Sequence, residues 1–383
     1  MIKNLRTRST SLSDEGIYVA WKSFIYKVGL AKRRVHWRRE IAGLGSSLIV
    51  DVGIVYTYSV QAESIVYAFQ TSTGNLLWST HVAPYMFHAG MQINELVAMT
   101  LVDGILYVLS SMGDIYALDK TSGAILWRCD TLPLNENHLG TIDLTIARDI
   151  LYYTNQNQLF AVDIQRCQQH WMTTIPAPQI FFAHTLSNTM LFATADLDPE
   201  GSYIYAFATE TGKRLWQSEL LPDAIFEAPM HAGDLIICYG GTTIYALNAC
   251  DGKIRWEHFV GHTSGLRPCI ENGQLYLCSG SGYQQDIWTE QRLGRARGAL
   301  LSLNCAHGSL AWYRNLAIAP SMFHVKRGNI YVNRADANHL YVFNAHDGTT
   351  LWQLDLALDT ARMDIQPPEG FGSTLIVIPD EGK

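Results

Sequence analysis

Short runs of alternating apolar and polar residues recur along this chain, and most of them close on a tryptophan. The clearest copies are VYAFQTSTGNLLW ending at Trp78, IYALDKTSGAILW at Trp127, IYAFATETGKRLW at Trp216, IYALNACDGKIRW at Trp256 and LYVFNAHDGTTLW at Trp352. Three worn copies end at Trp37, Trp171 and Trp312; Arg33 and Cys167 stand at the glycine position of the first two, and Leu301 replaces the tyrosine of the third. In each copy an aromatic or its substitute lies eleven residues before the tryptophan and the glycine position lies four before it. Alternation with period two predicts a half-buried strand, and Thr-Gly, Ser-Gly or Asp-Gly after it supplies the positive φ of a hairpin turn, so each copy predicts a β-hairpin. A further apolar run precedes most hairpins, as in GILYVLSS at 104–111 and GQLYLCSG at 273–280, and there is room for a fourth strand after each preceding tryptophan.

Successive tryptophans are 41, 49, 44, 45, 40, 56 and 40 residues apart. Four short strands per unit at this period are the signature of propeller blades. The fold expected is all-β, an eight-bladed β-propeller of four-stranded antiparallel blades, with 1–383 as one domain and residues 1–16 as a loose tail. The chain opens on the hairpin half of a unit and carries the complementary half, with the strand STLIVIP, after Trp352. Pairing of the N- and C-terminal strands would close the ring and leave no open sheet edge between them. The eight tryptophans are expected to pack between adjacent blades.

Composition narrows the function. A net charge of −7 argues against nucleic acid as a partner, since phosphate neutralisation needs clustered Lys and Arg. No apolar run is long enough for a membrane-spanning helix or a secretory signal, which places the protein in the cytoplasm, or outside it if an export signal was removed. Seven scattered cysteines are an odd number with no C-x-x-C pair, so most are expected to be reduced thiols and no zinc site is expected. No G-x-S-x-G nucleophile motif occurs, and Asp196 and Asp198 read as turn residues.

The hairpin IYALDKTSGAILW and its copies resemble the repeat of the pyrroloquinoline-quinone-like propellers, with its A-L-D-x-x-T-G-x-x-x-W pattern, over about residues 20–379. That resemblance implies either of two functions. Quinoprotein dehydrogenases hold the quinone with calcium on the propeller axis; other members, such as the lipoprotein that assists outer-membrane barrel assembly, are scaffolds without chemistry. The dehydrogenases typically carry a disulfide between adjacent cysteines, and no two cysteines are adjacent here. The scaffold members are therefore the nearer likeness: no cofactor is expected, with the quinone and calcium as the alternative, and a ligand-sensing propeller as a further one.

Two sets of residues are candidates for binding. The innermost strand of each blade should lie roughly 10 to 15 residues after each tryptophan, which directs His88, His138, His184, Glu227, Arg267, His324 and Asp364 to the channel. Arg267 and the histidines could there hold an anion or polar small molecule, although each histidine could equally bond only backbone or channel water, and no H-x-E or H-x-x-x-H spacing marks a metal. The second set lies in the insertion at 279–299, where Tyr283, Trp288, Arg292, Arg295 and Arg297 combine aromatic and arginine side chains of the kind enriched at interface hot spots. Connections between blades and between middle strands emerge on one face of a propeller, and a protein or small ligand is expected to bind that loop-rich face of a monomer.

Overall fold

The computed structural model describes residues 16–21, 23–59, 64–83, 87–88, 91–92, 96–110, 114–129, 145–155, 158–175, 184–187, 189–197, 200–223, 225, 228–239, 241–262, 266–280, 298–317, 320–334, 337–355 and 374–377. They form eight four-stranded antiparallel sheets, arranged as an eight-bladed β-propeller, and one additional two-stranded hairpin. Strands are lettered A to D from the innermost outward. Blade 2 shows the pattern, with Leu44–Asp51, Ile54–Ser59, Ser64–Gln70 and Leu76–Ala83 in consecutive order. Each of the eight buried apolar clusters is built from two adjacent blades, so the core is a ring of interfaces rather than one central mass.

Blade 1 closes the ring. Its outer three strands are Gly16–Trp21, Phe24–Gly29 and Arg34–Glu40, and its innermost is Thr374–Val377, paired antiparallel to Gly16–Trp21 with Tyr18 opposite Val377. Closure by terminal strands is as expected, but the division is three strands to one rather than half to half. The run GIYVAW forms a strand, so Gly16 belongs to the blade and only residues 1–15 of the expected tail lie outside the described residues.

The turn chemistry explains why the C–D hairpins were readable. In the turn after strand C, the Asp119 carboxylate accepts N–H groups of Thr121 and Ser122, and Asp163 does the same for Gln165 and Arg166. These bonds, led by the one from the Ser122 backbone, hold the Asp119 carboxyl below its usual range. The turn glycine then meets the tryptophan of the preceding blade. Gly123, at φ 72°, lies so near Trp78 that a Cβ there would sit 2.4 Å from the indole. Gly74, Gly212, Gly252, Gly308 and Gly348 stand in the same relation to Trp37, Trp171, Trp216, Trp256 and Trp312.

The indole N–H groups complete the docking. Trp37, Trp78, Trp171, Trp216, Trp256 and Trp312 donate to the carbonyls of Thr71, Lys120, Thr209, Ala249, Cys305 and Ala345, each in the next blade's turn, at 2.8–3.2 Å. The worn copies use other means at the same place. Arg33, at φ 48°, lies over the Trp352 ring at 5.6 Å and joins blade 8 to blade 1. Cys167, at φ 51°, is bridged to Cys129, two residues past Trp127, and joins blade 3 to blade 4. The other five cysteines are free thiols.

Candidate functional site

The two ends of the ring differ in construction. At one end the A–B and C–D turns bond to each other in the same way in blade after blade: Thr71, Ile164, Thr209, Ala249, Cys305 and Ala345 donate backbone N–H groups to Gly53, Asp149, Thr189, Asp234, Gly273 and Gly328. At the other end the connections vary, and side chains tie them together. Asp223, in the connection from blade 5 to blade 6, accepts the Thr242 hydroxyl and the Thr243 N–H, both at 2.8 Å, across the B–C loop of blade 6. The Tyr245 hydroxyl completes this cluster, and burial together with the Asp223 charge pushes its pKa to about 12. Leu221 of the same connection bridges Ser202 through two backbone bonds, and the Ser202 hydroxyl accepts the Ile225 N–H.

The loop that holds the predicted partner-binding residues springs from this variable end. Its flanking strands, Gln274–Ser279 and Gly298–Asn304, pair up to Ser279 opposite Ala299. At their open end the Ser279 hydroxyl and the Gly280 N–H both donate to the His262 carbonyl in the connection from blade 6, at 2.7 and 2.8 Å. The base of the loop is thus bound to its neighbouring connection. Tyr283, Trp288, Arg292, Arg295 and Arg297 themselves lie outside the described residues.

The axial candidates were expected one to a blade. His184 opens the inner strand His184–Leu186 of blade 5, and His324 lies half-buried within Pro320–Lys326 of blade 8. Arg267 is exposed just before the inner strand Cys269–Glu271 of blade 7. His88 belongs to the small hairpin Phe87–His88 with Met91–Gln92, outside the eight blade sheets. His138, Glu227 and Asp364 lie outside the described residues. The inner strand begins 13, 14 and 13 residues after Trp171, Trp216 and Trp256, within the expected spacing, but 18 after Trp78 and Trp127 and 22 after Trp352. Connections of such unequal length do not preserve a register between tryptophan and channel.

Calcium takes about six to eight oxygen ligands. The oxygen donors among the axial candidates are Glu227 and Asp364. Among the described residues no three His, Cys, Asp or Glu side chains converge to hold a metal ion.

Sequence reading missed Asp223, whose role comes from loops that meet only in the fold, and a second carboxylate at the variable end. Asp114, buried at the start of strand C in blade 3, pairs with Arg128 at 3.2 Å and accepts the Tyr116 hydroxyl at 3.4 Å. An aspartate followed by an apolar strand was its only trace in sequence.

Comparison with known proteins matches residues 22–183 and 200–324 to the family described as outer membrane protein assembly factor BamB. The chain belongs to this family. Among curated BamB relatives, the outer membrane protein assembly factor BamB of Moranella endobia is 19% identical over 311 residues, covering 76% of this chain and 74% of the relative. The tetrathionate hydrolase of Acidithiobacillus ferrooxidans is 19% identical over 227 residues, and the chain spans only 42% of its length. Among solved structures, BamB from Moraxella catarrhalis superposes with a TM-score of 0.60 at 17% identity, covering 85% of this chain and 92% of that one. The quinohemoprotein alcohol dehydrogenase of Comamonas testosteroni gives a TM-score of 0.57 at 14% identity, covering 82% and 67%. At these identities the BamB and dehydrogenase structures share the propeller fold with this chain. No described helix is long and apolar enough to cross a membrane.

Proposed function

We propose that this chain is a non-catalytic propeller scaffold that holds a protein of the outer-membrane protein assembly machinery on its variable face, outside the cytoplasm. The observation that carries this reading is the match to the BamB family over most of the chain. The two ends of the ring support it further, since variable connections on a rigid frame are where recognition usually resides. The contact residues in this reading are Tyr283, Trp288, Arg292, Arg295 and Arg297 of the 279–299 insertion, aromatic and arginine side chains of the kind enriched at interface hot spots. The Cys129–Cys167 bridge agrees with an oxidising compartment rather than the cytoplasm first expected from the sequence.

The test is capture of purified components of the host's outer-membrane assembly machinery by immobilised protein. Wild type is expected to retain a component, and the double variant Trp288→Ala, Arg295→Ala is expected to lose it with an unchanged melting temperature. Capture retained by the double variant would remove the loop from the interface. Saturable binding of pyrroloquinoline quinone in the presence of calcium, followed by tryptophan fluorescence, would overturn the non-catalytic reading.

A further inference from the structure

At the regular end of the ring, opposite the variable face, a cavity of about 420 Å³ opens between blades 4 and 5 and reaches blade 6, with the imidazoles of His170 and His231 also on its wall. Its volume falls within the range of small-molecule sites, about 300–1,000 Å³. Ile150, Tyr152 and Leu186 line it and also pack on the apolar cluster between these blades, so the floor is hydrocarbon and ring. Two exposed side chains of opposite charge type, Arg148 and Glu210, stand on its lining. Arg148 comes from the A–B turn of blade 4 and Glu210 from the C–D turn of blade 5. Neither has an ion-pair partner among the described residues, and they do not pair with each other.

The turn that presents Arg148 departs from its counterparts. Arg148 and Asp149 both have positive φ, 51° and 62°, the conformation of a two-residue hairpin turn that Asn-Gly ordinarily fills. The equivalent turns use Val52-Gly53, Asp103-Gly104, Gly233-Asp234, Asn272-Gly273 and Arg327-Gly328. Of these described two-residue A–B turns, blade 4 alone has no glycine. Left-handed backbone at two side-chain-bearing residues carries a conformational cost, and such positions gather at binding sites.

We propose that this cavity binds a small zwitterion of the amino-acid class with an apolar side chain. The carboxylate meets Arg148, the ammonium meets Glu210, and the side chain lies on Ile150, Tyr152 and Leu186. A simple anion would face the Glu210 carboxylate and a simple cation the Arg148 guanidinium, whereas a zwitterion satisfies both charges over an apolar floor.

The test is saturation-transfer NMR and calorimetry on the full chain with L-leucine and L-phenylalanine, alongside leucinamide and N-acetyl-leucine, which lack one charge each. The variants are Arg148→Asn, which tolerates the left-handed turn, and Glu210→Gln; both positions are exposed, and unchanged melting temperatures verify that the fold is kept. Leucine or phenylalanine is expected to bind, and each variant and each singly charged analogue to weaken binding by about tenfold or more, ~1.4 kcal/mol. Three results would overturn the proposal: no amino-acid binding at about 10 mM, where even a contact of a few kcal/mol registers; affinity unchanged in both variants; or N-acetyl-leucine binding as well as leucine.

Discussion

At the scale of single residues, the indole rings set the strength of the blade interfaces, and their burial is unequal. Trp37, Trp171 and Trp256 are buried, whereas Trp78, Trp127, Trp216, Trp312 and Trp352 are half-buried. Trp171 combines burial with a 2.8 Å bond to the Thr209 carbonyl, so Trp171→Ala loses both packing and a buried hydrogen bond. We expect it to lower unfolding free energy by about 3–5 kcal/mol in urea titration, and Trp216→Ala to cost less. A larger loss at Trp216 would mean that burial does not rank these contacts. The tryptophan and the turn glycine were legible in the sequence because the same contact fixes both. Their third partner was not. In six blades an aromatic of strand B (Tyr18, Tyr56, Tyr107, Tyr152, Phe192 or Tyr276) lies 5.8–6.4 Å from the blade's own tryptophan ring, at no constant spacing from it.

At the scale of elements, outer hairpins were legible and inner strands were not. An outer hairpin carries its own turn chemistry and alternation, while the inner strands of blades 4 to 7, such as Thr145–Ala147 and Met230–Ala232, hold three residues each and show almost no period. The axial candidates were read one per blade, and of the described ones His184 and His324 do lie in inner strands and Arg267 just before one, while His88 falls in the small hairpin. The junction of blades 3 and 4 is the other departure, because a cysteine replaces the turn glycine and a covalent bridge spans 38 residues between elements that elsewhere only pack. Closing a loop of this length stabilises by about 2–4 kcal/mol. A reductant is expected to lower the urea midpoint of wild type accordingly and to leave Cys129→Ser, Cys167→Gly unmoved, the glycine accepting the left-handed turn that Cys167 occupies. Equal midpoints for oxidised and reduced wild type would show that packing alone holds this junction.

At the scale of the whole molecule, stability depends on the ring being closed, and four residues perform the closure. Blade 1 is wedged between its neighbours: Ile17 and Val19 pack toward blade 8, Tyr18 and Ala20 toward blade 2. Thr374–Val377 supplies the inner edge of that wedge. Without it Gly16–Trp21 would keep its bonds to Phe24–Gly29 and lose the whole ladder on its other side, leaving unpaired N–H and C=O groups of the kind that recruit other chains. Truncation after residue 373 is therefore expected to lower unfolding free energy by on the order of 2–5 kcal/mol, at ~0.5–1.5 kcal/mol per ladder hydrogen bond, and to produce larger species in size-exclusion chromatography. A synthetic peptide of residues 368–383 should restore both the midpoint and the elution volume, because adding a strand in trans refills the same ladder. Rescue would identify the lost pairing as the cause, whereas a truncated protein as stable as wild type would show that the packed faces of blade 1 close the ring without its inner strand.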